Sequence, residues 1–159
     1  GGGSLPPQLY DRPHEDELQP NRDRMEEQVI HYCVAHGIPI IATCRGMQYI
    51  NVMFGGKLWY HPKLPVNRTR GVDHQVWLVK EQRNIWVNNY HSDCIYEEGL
   101  ASCFEPLAID RENHVVEAYG SDEMKILALQ WHPERRFETA NAYEETRKII
   151  LDFIQKYVK

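Results

Sequence analysis

Ile38-Pro39-Ile40-Ile41-Ala42-Thr43-Cys44-Arg45-Gly46-Met47-Gln48 is the stretch whose reading decides the fold. Its first half is a short, almost wholly apolar run, the pattern of a parallel strand buried on both faces. From Gly46 to Phe54 the pattern turns helical, with Met47, Ile50, Asn51 and Phe54 along one side, and Gly55-Gly56 supplies a stop. No linker separates strand, cysteine and helix. A chain that doubles back so tightly needs small neighbours, and Ala42 and Gly46 flank Cys44 at minus two and plus two. The helix that follows directs its first amides and partial positive charge at the sulfur. This predicts a lowered thiol pKa, a thiolate and a place for a developing oxyanion. Taken alone, Cys44 would read as a small buried hydrophobe, the usual fate of a free cysteine.

Outward from this segment, Asn21 is a candidate helix cap. Met25, Val29, Ile30, Cys33 and Val34 then recur at helical spacing, predicting a helix that ends near His36 and Gly37. Before it, Leu5 to Pro20 is rich in Pro and charge and reads as a loop. After it, strands are expected at Val76–Val79, Ile85–Val87, Val115–Tyr119 and Ile126–Trp131. A last helix over Tyr143–Val158 places Ile149, Ile150, Phe153, Ile154 and Tyr157 on one stripe. Alternating helices and apolar strands predict an α/β domain around a mostly parallel sheet, with reactive residues at the carboxyl ends of strands.

A base for Cys44 is found in Gln130-Trp131-His132-Pro133-Glu134, which closes the last apolar strand. Two parallel strands emerge on one edge, so His132 is expected beside Cys44. Pro133 turns the chain out of the strand, and Glu134 lies close enough to accept a hydrogen bond from the imidazole and set its tautomer. The plainer alternative is a surface His-Pro turn with a solvated glutamate.

These two segments together resemble the class I glutamine amidotransferase-like superfamily. Arg45-Gly46 after the cysteine resembles its gamma-glutamyl hydrolase branch, which is gamma-glutamyl-gamma-aminobutyrate hydrolase-like and peptidase C26-like. The likeness extends to Gly1-Gly2-Gly3 with Pro7 and Leu9-Tyr10, to Arg22-Asp23 with Glu26, and to Phe54-Gly55-Gly56-Lys57-Leu58. It continues through Asp73-His74-Gln75-Val76 and Val87-Asn88-Asn89-Tyr90-His91, the last resembling the branch's Val-Asn-Ser-x-His loop. The resemblance implies a flavodoxin-like three-layer sandwich, a Cys44-His132-Glu134 triad, and oxyanion-hole amides from Arg45 and from Gly2 or Gly3. It implies substrate contacts by Gln48, Asn89, Tyr90 and His91, a small-molecule gamma-glutamyl substrate, and no cofactor. Ala42 stands where the family usually has glycine, and Asn89, Ser92 and Asp93 depart from the branch's loop.

The 159 residues suit one domain spanning 1–159. The resemblance, however, implies strand-helix units ahead of the glycine loop, so the domain is expected to be N-terminally truncated or completed by another chain or copy. Gly1-Gly2-Gly3-Ser4 reads either as native glycine loop or as a flexible linker. A net charge of -5 argues against nucleic-acid binding, and no apolar run is long enough to span a bilayer. Cys33, Cys44, Cys94 and Cys103 show no paired spacing and predict free thiols in a reducing cytoplasm. His61, His74 and His91 match no common zinc spacing, so no metal site is expected. Three functions compete: a stand-alone gamma-glutamyl amide hydrolase, a glutaminase subunit feeding ammonia to a synthetase, and a truncated, non-catalytic assembly or binding module.

Overall fold

The computed structural model describes residues 5–6, 9–10, 18–60 and 70–158. In chain order the elements are α1 (Pro20–Ala35), β1 (Ile40–Thr43), α2 (Arg45–Met53) and β2 (Trp59–Tyr60). Then come β3 (His74–Leu78), β4 (Arg83–Val87), β5 (Asp93–Cys94), β6 (Glu105–Asp110), β7 (Val115–Ser121), β8 (Ile126–Leu129) and α3 (Ala142–Tyr157). Six strands form one sheet in the order β1-β8-β7-β6-β3-β4, and β2 pairs with β5 separately.

Two apolar clusters lie on the two faces of this sheet. β8 shows the division residue by residue, as an alternating strand must. Ile126 and Ala128 join Ile30 of α1 and Met47 and Ile50 of α2, whereas Leu127 and Leu129 join Trp131 and meet Ile149, Ile150 and Phe153 of α3. Helix, sheet and helix layers result, the α/β sandwich expected from the sequence.

The sheet is mixed rather than mostly parallel. β1 and β8 run parallel, while β8-β7, β7-β6, β6-β3 and β3-β4 are antiparallel. Alternating helices had suggested crossovers throughout, but from β3 to β8 the strands follow one another through turns and a short 3-10 segment, Glu97–Gly99. Such connections join antiparallel neighbours, whereas a parallel pair needs a long crossover. The long excursion from β1 through α2 to β8 separates the parallel pair found among the described residues. β6 was not anticipated, because Pro106 and the flanking charges of Glu105 and Asp110 obscure its pattern.

Other expectations are also corrected. β1 is not buried on both faces: it is an edge strand among the described residues, and Ile41 is 39% exposed. α1 starts at Pro20, a residue suited to a first turn, and neither Asn21 nor the actual N-cap Gln19 makes a side-chain cap. The helix also faces differently: Met25 and Val29 are exposed, while Asp23 and Ile30 are buried. The cause is Arg45, which draws Asp23 and Glu26 inward. All four cysteines are free. No helix among the described residues is long and apolar enough to cross a membrane.

Candidate active site

The parallel β1-β8 ladder ends with Thr43 opposite Leu129, so Cys44 and the segment Gln130 to Glu134 leave the sheet at the same edge. The Cys44 N–H donates to the Leu129 carbonyl at 2.7 Å, extending the ladder by one bond beyond the strand. Cys44 then turns with φ 50° and ψ -108°, and α2 begins at once. A non-glycine residue at positive φ is strained by about 1–3 kcal/mol. The strain falls on Cys44 itself, while Ala42 remains in the strand. A Cβ at Gly46 would lie 3.6 Å from that of Ala42, so the two small residues pack against each other across the turn.

The turn is held from outside by charge. Arg45 is buried and its guanidinium pairs with Asp23 and Glu26 of α1, while Arg22 bonds Glu26 at 2.6 Å. Burial, helped by the neighbouring Arg22, pushes Arg45 down to about 10, still charged at neutral pH. The backbone N–H of Arg45 bonds the Cys44 thiol. Burial nevertheless raises the thiol above its ordinary range, against that bond and the positive charge of Arg135. That direction favours the thiol over the thiolate expected from the helix terminus, because desolvation works against a partial charge spread over one turn.

His132 is buried, and its Nδ1 lies 2.6 Å from Oε1 of Glu134. Donation from Nδ1–H to the carboxylate leaves Nε2 unprotonated, the form a base requires. Burial lowers the His132 pKa, and the hydrogen bond and charge of Glu134 counter it only in part. Glu134 ends below the ordinary range: burial pushes it up, but the bond from His132 and a backbone bond outweigh that.

The sequence did not single out what holds His132. Asn88, wholly buried, accepts from the His132 N–H through Oδ1 and donates through Nδ2 to the His132 carbonyl, both at 2.9 Å. Asn88 lies in the loop already quoted as a resemblance, but its reciprocal grip on a residue 44 positions away has no local signature.

The expected substrate residues divide. Tyr90 sets its ring edge-on to His132 at 5.7 Å and carries the Arg135 guanidinium 4.4 Å from its centroid. Gln48 is buried, and its amide donates to the Asp93 carbonyl at 3.0 Å and to Gln130 Oε1 at 3.2 Å. Asn89 is buried, and His91 contacts the Asp93 carbonyl through Nδ1 at 3.0 Å. Tyr10 reaches the same place, donating to Asp93 Oδ2 at 2.8 Å. Gly2 and Gly3 lie outside the described residues, as does His61.

Behind this loop, Glu117 Oε1 lies 3.7 Å from His74 Nε2 and 3.6 Å from His91 Nε2, a convergence the sequence did not reveal. Among the described residues, no group of three or more His, Cys, Asp or Glu side chains is arranged to hold a metal ion.

A cysteine at a strand-to-helix turn, joined through a parallel ladder to a His-x-Glu segment just past the neighbouring strand, places the chain among class I glutamine amidotransferase-like α/β proteins. A sequence model of the peptidase C26 family matches residues 1–134, and the chain belongs to that family. It is similar to the putative glutamine amidotransferase-like protein YvdE of Lactococcus lactis, at 30% identity over 87% of this chain and 65% of that protein. It is also similar to the gamma-glutamyl-gamma-aminobutyrate hydrolase PuuD of Escherichia coli, at 28% identity over 82% and 60% of the two chains. A third relative is the aminodeoxychorismate/anthranilate synthase component 2 of Bacillus subtilis, at 27% identity over 84% and 66%. The chain thus spans about three fifths to two thirds of the length of these curated relatives. A solved glutamine amidotransferase structure from Thermotoga maritima superposes with a TM-score of 0.62 at 18% identity, covering 98% of this chain and 62% of that one. That likeness concerns the fold.

Proposed function

We propose that the chain carries a cysteine-dependent hydrolase site for gamma-glutamyl amide bonds, with Cys44 as nucleophile, His132 as general base and acid, and Glu134 orienting His132. The observation that carries this reading is the 2.6 Å His132–Glu134 contact, just past the end of a strand whose parallel ladder runs into Cys44.

Because both reacting groups rest neutral, the first step couples proton transfer to attack. His132 Nε2 takes the Cys44 proton as sulfur adds to the amide carbon, and the Arg45 N–H donates to the developing oxyanion. Glu134 stabilises the imidazolium so formed. The imidazolium passes its proton to the departing nitrogen as the C–N bond breaks, leaving a gamma-glutamyl thioester and a free amine. Water then gives a proton to His132 and attacks the thioester, which releases glutamate and restores the thiol.

Incubation with gamma-glutamyl amides, quenched in acid and followed by intact-mass measurement, should show a Cys44-linked gamma-glutamyl adduct. Cys44→Ala should lower turnover by about 10⁴-fold or more. Retained turnover in that variant would refute the mechanism.

A second reading is a glutaminase subunit that supplies ammonia to a synthetase, favoured by the similarity to the synthase component of Bacillus subtilis. Arg45 after the cysteine counts against it. Free-glutamine hydrolysis that rises sharply on adding a synthetase chain would select this reading, while activity confined to other gamma-glutamyl amines would reject it.

A further inference from the structure

Arg135 lies three residues beyond His132, in a turn closed by its own N–H donating to the His132 carbonyl at 3.1 Å. Its guanidinium lies over the ring of Tyr90, whose edge meets the His132 imidazole. The cation is thereby held beside the site by a stacked aromatic contact instead of ranging through solvent. Its charge reaches both reacting groups, drawing the Cys44 and His132 pKa values downward.

Arg22, Arg45, Arg83 and Arg147 each pair with a carboxylate. No described carboxylate pairs with Arg135, and the nearest in sequence, Glu134, is committed to His132 Nδ1. A guanidinium has five N–H donors in a planar fork suited to bidentate binding of a carboxylate. Among the described residues the guanidinium donates no hydrogen bond beside its contact over the Tyr90 ring, which leaves its donors available. An anchored cation with open donors beside a nucleophile is a receptor for an anion, and a gamma-glutamyl compound brings at least one carboxylate.

We propose that Arg135 is a specificity-determining residue that binds a substrate carboxylate at the mouth of the site. This assignment rests on the amidase reading above. The carboxylate has two possible sources, the α-carboxylate of the glutamyl group or an acid on the departing amine.

Steady-state kinetics of the unsubstituted chain, Arg135→Gln and Arg135→Lys separate these sources. Two gamma-glutamyl amides of matched length are compared, one with a carboxylate on the departing amine and one with an uncharged amine. Arg135→Gln should lower kcat/KM about ten- to a hundredfold, mainly through KM, because a charge-assisted hydrogen-bonded pair is lost. Arg135→Lys should restore part of it. A loss confined to the acid-bearing compound places the carboxylate on the departing amine, and an equal loss on both assigns the α-carboxylate.

Unchanged KM on both compounds overturns the proposal. So does a fall in kcat alone accompanied by a moved pH profile, since Arg135 would then act through His132. If the unsubstituted chain turns over neither compound and Cys44 stays unacylated, the amidase reading fails and this proposal with it. If the chain hydrolyses both compounds and the substitution leaves them unchanged, only the role of Arg135 is refuted.

Discussion

The two sides of the candidate site are anchored by opposite means. Cys44 stands at the end of a strand that is at the sheet edge among the described residues, in a strained backbone conformation, and its neighbour Arg45 is fastened by charge to Asp23 and Glu26 of a helix. His132 follows a strand with neighbours on both sides, and neutral hydrogen bonds from Asn88 grip its backbone. The nucleophile side therefore depends on a buried ion-pair group and resists a local preference of the chain. The base side depends on amide geometry and resists nothing. Loss of the charged anchor on the first side should cost more stability than loss of the Asn88 anchor on the second, and loss of Glu134 on the second side should appear mainly as lost catalysis.

Arg45→Ala puts the largest strain on this contrast. It leaves the Asp23 carboxylate, with a side chain 10% exposed, without its cation. Breaking a buried pair from one side costs about 3–5 kcal/mol, which denaturant unfolding would measure. Arg45→Met combined with Asp23→Leu should cost much less, because no unpaired charge is then buried. Equal losses in the single and double variants would show that packing, not charge, fastens this side.

On the other side, Glu134→Gln should lower kcat about a hundredfold or more, through loss of imidazolium stabilisation and of the set tautomer. The melting temperature should change little, since the Glu134 side chain is 57% exposed. The sign of the pH effect is fixed by what Glu134 does now. Its hydrogen bond and charge raise the His132 pKa against burial, so removing them lets that pKa fall further. The acid limb of kcat/KM is expected below the ordinary histidine value in the unsubstituted chain, and in Glu134→Gln it should move to still lower pH. A limb that moves upward would show that Glu134 does not hold the His132 pKa up.

Asn88→Ala should have a smaller effect, about 1–3 kcal/mol of stability, because the buried His132 N–H loses its partner while the His132 carbonyl keeps the Arg135 N–H. Hydrogen exchange at the His132 amide should accelerate in step. If kcat falls while exchange at His132 is unchanged, Asn88 contributes to the reaction in some way other than holding that backbone.

The sequence made the chemistry more legible than its supports. Strand, cysteine and helix are contiguous, and His132-Pro133-Glu134 is a local pattern, so both could be recognised by spacing. Arg45 with Asp23 and Glu26, Asn88 with His132, and Glu117 with His74 and His91 are contacts between distant segments, and no periodicity announces them. Sheet direction was misjudged for a related reason: apolar strand patterns do not state which way a neighbour runs, and the turns between β3 and β8 decided it. The direction of the Cys44 pKa runs against the thiolate expectation because helix polarity can be read from sequence, whereas the desolvation of Cys44 depends on what packs around it.

The finest division between the two sides concerns the backbone of Cys44. Alanine and glycine both remove the sulfur, so Cys44→Ala and Cys44→Gly should be equally inactive. Only glycine is comfortable at φ 50° and ψ -108°. Relief of a strain of about 1–3 kcal/mol, offset by up to about 1 kcal/mol of extra chain entropy lost on folding, should leave the glycine variant about 1 kcal/mol more stable than the alanine variant. Thermal or denaturant unfolding of the pair would read this difference directly. The same comparison at His132 should favour alanine, because no residue from Gln130 to Arg135 has positive φ. If glycine proves no better than alanine at Cys44, the turn is not strained, and the contrast between the two sides reduces to charge against neutral hydrogen bonding.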